Sequence, residues 1–253
     1  MKTRIILCGA CGKMGGNVLS LLQQDENAVA VCGVDLYPKE IGIPVYKSFV
    51  DIQEKADVII DFSSAENIEE RLQYAKKNGL GIVLASTGFS PADLALIDEY
   101  AKEIPVFKTA NLSLGVNLMQ ALCKAAAQVL GDNFDVEIIE RHHNLKKDAP
   151  SGTALMLADT VNEAFDNSKR FVNGRDGIVG AREKSEIGIH AVRGGTIVGE
   201  HEVMFAGEDE IITITHSARS KRVFAAGAIR AAKYLHGKQA GKYEMKHLLA
   251  EEN

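Results

Sequence analysis

Before Asn111 the chain is built on uninterrupted aliphatic runs rather than alternating ones. "RIILCG", "AVAVCGVD", "ADVIIDFS", "GIVLAST" and "IPVFKTAN" are separated by helical periods at about 14–24, 66–77 and 91–102. A strand that is apolar on both sides has to be buried on both faces, and a parallel sheet covered by helices is the architecture that does this. The pattern predicts an α/β fold with a doubly wound parallel sheet.

Beyond Asn111 the pattern changes. A long amphipathic helix is expected at about 115–130, with Val116, Met119, Leu122, Cys123, Ala126, Val129 and Leu130 on one face. A strand "FDVEIIE", a helix at 154–165 and a polar loop rich in Asn, Gly and Arg follow. A run of strands comes next, in which Gly194–Gly195 reads as a hairpin and the segment 207–210 as another turn. This half predicts an α+β domain with a mixed, largely antiparallel sheet. The final helix, at about 220–235, carries "FAAGAIRAA", and its small side chains permit close packing on another element.

The chain has 253 residues and a net charge of -5, so no global positive field would gather nucleic acid. The start "MKTRIILCGA" runs directly into a glycine-rich loop, and no apolar run of about 18 residues occurs; the expectation is a cytoplasmic protein without a membrane partner. Four cysteines include a Cys8-x-x-Cys11 pair, but no second pair completes a zinc site, and the pair lies within the glycine loop. Reduced thiols and no metal are expected.

That loop, "ILCGACGKMGGNVLSLL", places Gly9, Gly12 and Gly15 between a strand and a helix. Glycine lets the backbone turn tightly beside a pyrophosphate, and the helix start supplies free N–H groups and the positive end of the dipole. The spacing is G-x-x-G-x-x-G, with Cys11 where the commoner pattern has glycine. Asp35 ends the second strand about 20 residues on, where a carboxylate accepts the adenine ribose hydroxyls. Together they read as a Rossmann-like dinucleotide site. The charge of Asp35 opposes a 2'-phosphate, Lys39 partly offsets it, and NADH is favoured over NADPH. "ASTGF" and "TANLS" close two further strands on the ligand side of such a sheet, so Thr87, Gly88 and the 109–111 backbone are candidate walls for the nicotinamide and its ribose.

The second chemical segment is "ERHHNLKKDAPSGTAL", 140–155. Neighbouring His142 and His143 in extended chain point to opposite sides, which disfavours joint metal binding. Ser151 is an expected N-cap after Pro150, and Gly152, Thr153 and Ala154 offer backbone N–H groups to an anion. Capping explains Ser151 but leaves the upstream His and Lys residues unexplained. Histidine and lysine beside an anion-binding helix start suit proton transfer to a small dicarboxylate.

With these segments, "GACGKMG", "STGF", "ANLSLGVN", "ERHHNLKKDAPSGTA", "RGGTIVGEHEVMF" and "ITHSARSKRVFAAGAIRAA" follow in order, and the chain resembles the 4-hydroxy-tetrahydrodipicolinate reductase (dihydrodipicolinate reductase) family along almost its whole length. The resemblance implies NAD(P)H-dependent reduction of that cyclic dicarboxylate with loss of water, in diaminopimelate and lysine biosynthesis. By motif position it implies His142 as proton donor/acceptor and Lys146 as proton donor, with His143, Gly152 and Thr153 on the substrate carboxylate and Lys147 outside the set. It implies cofactor contacts at Gly9, Ala10, Cys11, Gly12, Lys13, Met14, Asp35, Ala85, Ser86, Thr87, Thr109, Ala110, Asn111 and Leu112. Cys11, Ala85 and Leu112 depart from the residues common there, and Asp35 lacks the arginine neighbour that some dual-specificity members use. The resemblance further implies a dinucleotide-binding domain of 1–111 and 224–253, and a substrate-binding domain of 112–223 that builds a homotetramer and closes over the substrate. Rival readings are another NAD(P)-dependent dehydrogenase of a small carboxylate, which has no need of the 140–155 segment, and a non-catalytic dinucleotide sensor.

Overall fold

A computed structural model describes residues 1–251. In chain order the elements are β1 (Thr3–Cys8), α1 (Lys13–Leu22), β2 (Ala28–Val34), β3 (Val45–Tyr46), β4 (Val58–Asp61), α2 (Ile68–Asn78), β5 (Gly81–Leu84), α3 (Pro91–Tyr100) and β6 (Pro105–Lys108). They continue as α4 (Leu114–Leu130), β7 (Asp135–His142), α5 (Gly152–Glu163), β8 (Arg170–Asn173), β9 (Glu186–Arg193), β10 (Gly199–Ala206), β11 (Ile211–Ala218), α6 (Arg222–Leu235), β12 (Gly241–Tyr243) and α7 (Met245–Glu251). Two compact units result: Met1–Ser113 with the chain from Lys221 onward, and Leu114–Ser220. Among the described residues, no helix is long and apolar enough to cross a membrane.

The first unit is a seven-stranded sheet, β12-β6-β5-β4-β1-β2-β3, in which every pairing is parallel. Successive residues of β1 serve opposite faces. Ile5 and Leu7 pack with Val18 of α1, Ala228 of α6 and Leu248 of α7, whereas Ile6 and Cys8 pack with Leu72 of α2 and Ile97 of α3. This double burial is why the strands read as continuous apolar runs. Helix boundaries follow local chemistry: Ser90 and Asp93 form a reciprocal capping box ahead of α3, with Pro91 in its first turn. The small residues of α6 serve close approach, because a side chain at Gly227 would collide with the Leu112 carbonyl oxygen.

The second unit is a five-stranded sheet, β11-β10-β7-β9-β8, evenly mixed: the two pairings on the β11 side are antiparallel and the two on the β8 side parallel. Val136, Ile138, Ile189 and Phe205 pack with Met119 and Cys123 of α4 and Leu157 of α5. The largely antiparallel expectation is thereby corrected, as is the hairpin at Gly194–Gly195. β9 and β10 are not neighbours; both flank β7, and the glycine segment crosses its end through Gly194 N–H to His142 O and Asn144 N–H to Gly195 O. The 207–210 hairpin is present, closed by Gly207 N–H to Glu210 O at 2.8 Å. The polar loop after α5 contains β8, whose pairing partner was not visible locally.

Glu137, between the apolar residues of β7, faces the other side of this sheet. Arg175 forks onto it at 3.0 and 2.9 Å, Arg182 Nε donates at 2.9 Å and His190 Nε2 lies at 2.6 Å. Burial alone would raise its pKa, but hydrogen bonds from Arg175, His190 and Arg182 hold it at about 2 against an ordinary 4.5. A depressed carboxylate contributes stability above its unfolded pKa and loses it as pH falls through the folded value. The interval corresponds to about 3 kcal/mol at most. We expect Glu137→Gln to be destabilising at neutral pH, with the difference from wild type shrinking steadily as pH falls from 4.5 toward 2; urea titrations across that range measure it.

Candidate functional site

In the first unit the expected nucleotide segments all lie at the carboxyl ends of strands. The three loop glycines differ in what they do. Gly9 has φ +72°, and a side chain there would meet the Phe62 carbonyl oxygen at 2.8 Å. At Gly15 a side chain would collide with the carbonyl oxygens of Gly9 and Ala10, so both glycines are demanded by the loop itself. Gly12 is the N-cap of α1, with φ -80° and no side-chain cap bond, and a methyl there would approach only Gly9 O, at 3.3 Å. A helix start without a side-chain cap, behind a tight glycine turn, fits a pyrophosphate. Lys13 and Met14 supply its first helical N–H groups. Ala10 is buried in the core, so it offers only backbone.

Asp35 follows β2. Its Oδ2 accepts the Cys11 N–H at 2.9 Å and its Oδ1 the Tyr37 N–H at 3.0 Å, which ties the end of the second strand to the glycine loop. A cavity of about 280 Å³ opens beside it, lined by Gly9, Asp35, Tyr37, Ser63, Asn67 and Arg71 among others. Ala85, Ser86 and Thr87 follow β5, and the buried Ser86 hydroxyl has no hydrogen-bond partner. Thr109, Ala110 and Asn111 follow β6; the Thr109 hydroxyl donates to Asn111 O at 3.2 Å and Asn111 Oδ1 accepts from Ser113 N–H at 2.8 Å. Leu112 puts its side chain into the core, leaving only backbone for a ligand. All cysteines are free; burial pushes the Cys8 thiol well above its ordinary value, and Cys8 is the last residue of β1.

In the second unit the segment 140–155 folds as a strand end, a turn and a helix start. His142 is the last residue of β7 and is buried, its Nδ1 lying 2.6 Å from Glu140 Oε2. His143 is half-buried, and its buried Nδ1 has no partner. The chain then turns, Lys146 N–H donating to His143 O at 3.1 Å. Lys146 Nζ pairs with Asp148 at 2.8 Å, while Lys147 is exposed. The Ala149–Pro150 peptide is cis. Ser151 caps α5 by accepting the Ala154 N–H at 3.2 Å, as its position predicts, with Gly152 exposed and Thr153 half-buried in the first turn. The motif therefore places a held imidazole, a lysine and a capped helix N-terminus on one short stretch.

Three participants were not singled out from sequence. Glu140, Arg193 of β9 and His201 of β10 surround His142, and the His201 ring sits edge-on to it at 5.2 Å. Glu140 was legible, since residues two apart share a strand face; Arg193 and His201 had no local signal. Burial, and then the neighbouring His142, lower the His201 pKa to about 4, so this second imidazole is neutral near pH 7. Among the described residues, no group of three or more His, Cys, Asp or Glu is arranged to hold a metal ion.

A doubly wound parallel unit with a glycine loop, and a mixed-sheet unit bearing a histidine beside a capped helix, define the class of two-unit Rossmann-type oxidoreductases. Comparison with known proteins narrows this. The profile described as dihydrodipicolinate reductase, N-terminus, matches residues 3–112, and that described as dihydrodipicolinate reductase, C-terminus, matches 115–249. The chain belongs to the dihydrodipicolinate reductase family. It is 48% identical to the 4-hydroxy-tetrahydrodipicolinate reductase of Caldanaerobacter subterraneus subsp. tengcongensis, over 98% of this chain and 99% of the relative. It is 45% identical to that of Clostridium novyi, over 99% and 100%. Among solved structures, the dipicolinate-bound dihydrodipicolinate reductase from Paenisporosarcina sp. TG-14 superposes with a TM-score of 0.80 at 25% identity, covering 96% of this chain and 98% of that one.

Proposed function

We propose that this chain reduces (2S,4S)-4-hydroxy-2,3,4,5-tetrahydrodipicolinate to (S)-2,3,4,5-tetrahydrodipicolinate with loss of water, in diaminopimelate and lysine biosynthesis. The observation that carries the reading is the 140–155 segment, in a chain matched by its family from end to end. One histidine is held by a buried carboxylate within the same segment as a lysine and a capped helix start. When bound, a nicotinamide cofactor would supply the hydride. The first unit is the dinucleotide-binding domain and the second the substrate-binding and tetramerisation domain of a cytoplasmic homotetramer.

The chain's own residues do the rest. The N–H groups of Gly152 and Thr153 and the imidazole of His143 bind a substrate carboxylate, where the positive end of α5 adds to their donors. Lys146 donates a proton to the substrate, and His142 exchanges one through Nε2, since its Nδ1 is committed to Glu140. Lys147 serves neither task.

The glycine loop would hold the cofactor, and Asp35 would accept hydrogen bonds from its ribose hydroxyls and favour NADH. Because Asp35 also orders the loop through Cys11, Asp35→Ala weakens both cofactors. NADH affinity is expected to fall by about tenfold and NADPH affinity by less, because charge repulsion with the 2'-phosphate is removed. Fluorescence titration with each cofactor measures the two losses, and equal losses contradict a ribose contact at Asp35. The reaction itself is tested with a coupled assay that generates the substrate in situ and follows nicotinamide absorbance. No cofactor consumption in the presence of active coupling enzyme overturns the assignment.

A further inference from the structure

Glu140 is a fully buried carboxylate on β7, two residues before His142 and on the same face of the strand. Both of its oxygens are used. Oε2 lies 2.6 Å from His142 Nδ1, and Oε1 accepts the Ser151 N–H at 2.9 Å. Arg193 forks across both, Nη1 to Oε2 and Nη2 to Oε1 at 2.7 Å each, and its Nη2 also donates to Asp148 O at 2.7 Å. Burial would raise the pKa of this carboxyl, but Arg193, His142 and the Ser151 amide together hold it below the usual carboxylate range. It is therefore ionised and can only accept hydrogen bonds.

An acceptor at 2.6 Å from Nδ1 requires the hydrogen to be on Nδ1, which leaves Nε2 as the lone-pair position of the neutral ring. Nε2 faces Gly199 of β10, where a side chain would come within 3.1 Å of it. The second imidazole, His201, is occupied elsewhere, its Nε2 lying 3.1 Å from the Ser151 hydroxyl that caps α5.

We propose that Glu140 is the positioning residue of this site, holding His142 as the Nδ1–H tautomer with Nε2 presented for proton exchange, and locking that imidazole to the N-terminus of α5 through the Ser151 N–H. One carboxylate thus sets the distance between the group that moves a proton and the amides that grip the substrate. This rests on the reading of His142 as the proton-exchanging residue and of α5 as the carboxylate site.

The test is nitrogen NMR on full-length protein labelled at histidine, with the His142 resonances identified by their loss in His142→Gln. Wild-type protein shows the neutral His142 ring protonated at Nδ1. In Glu140→Gln, whose amide can donate as well as accept, Nε2–H tautomer appears. The kcat falls about 100-fold with KM changed much less, and cofactor affinity is unchanged. Should Glu140→Gln fail to fold, Glu140→Asp keeps the charge opposite Arg193 while withdrawing the carboxylate from Nδ1, and the same losses are expected. An Nε2–H ring in wild-type protein, or a folded variant with unaltered tautomer or kcat within about twofold, overturns the proposal. Absence of turnover in wild-type protein counts against the assigned reaction, while the tautomer spectra still decide the role of Glu140.

Discussion

His142→Gln and Lys146→Ala are each expected to lower kcat by about a hundredfold or more, while both variants are expected to bind the nicotinamide cofactor as wild type does. On the proposed role, the loss expected at His142 is chemical rather than structural. Glutamine is similar in reach and keeps a donor for Glu140, but it cannot take up and return a proton near neutral pH. At Lys146 the ammonium, with only 19% of its side chain exposed, is paired with Asp148 and so is held rather than free in solvent. Truncation removes a donor that water cannot replace with the same orientation. Lys147→Ala is the control. Its side chain is exposed beside the same turn, and activity within about twofold of wild type is expected. The coupled assay gives kcat and KM, and fluorescence titration gives cofactor affinity. Near-full activity in either of the first two variants removes that residue from the mechanism, and an equal loss in Lys147→Ala assigns the effect to the turn as a whole.

The parallel sheet was legible because burial on both faces leaves a plain mark: in β1, Ile5 and Leu7 serve one helix layer and Ile6 and Cys8 the other, so no polar residue interrupts the run. The short edge strands β3 and β12 left no such mark, since segments of two and three residues are too brief to show a period. The return of the last helices to the first sheet is invisible in their own composition and was suggested only by family resemblance. Gly194–Gly195 misled for a related reason. Turn chemistry reports that the chain bends, not which strand lies between the two it joins, and here β7 does. The same limit governs the site. His142, Lys146 and Ser151 are readable because they are contiguous, whereas Arg193 and His201 reach them from strands about fifty positions away, through pairings that only the folded sheet creates. Asp35 was legible as an acidic strand end but not as the tie that orders Cys11 and Tyr37.

The largest stability effect is expected at Asp61, outside both the glycine loop and the 140–155 segment. Asp61 ends β4 and is fully buried; its Oδ2 lies 2.9 Å from Nε of Arg71 on α2, whose side chain is only 8% exposed. The N–H is not aligned for a hydrogen bond, so the contact is chiefly ionic. Around the pair, Asp61 Oδ1 accepts the Ser63 N–H at 3.0 Å, and Arg71 Nη2 donates to Ser64 O at 2.7 Å and Glu66 O at 2.9 Å. The pair therefore shapes the loop that lines the cavity beside Asp35. Asp61→Ala leaves a guanidinium buried without its counter-charge, and the free energy of unfolding is expected to drop by about 3–5 kcal/mol. Adding Arg71→Met to that variant should restore part of the loss, because removing both charges also removes the cost of burying them. Urea titration of the wild type, the single variant and the double variant reads both effects. A single variant within about 1 kcal/mol of wild type means that water reaches Arg71 in solution. A double variant no more stable than the single one means that Arg71 acts through its bonds to Ser64 and Glu66 rather than through Asp61, and the loop, not the ion pair, is then what the buried charge supports.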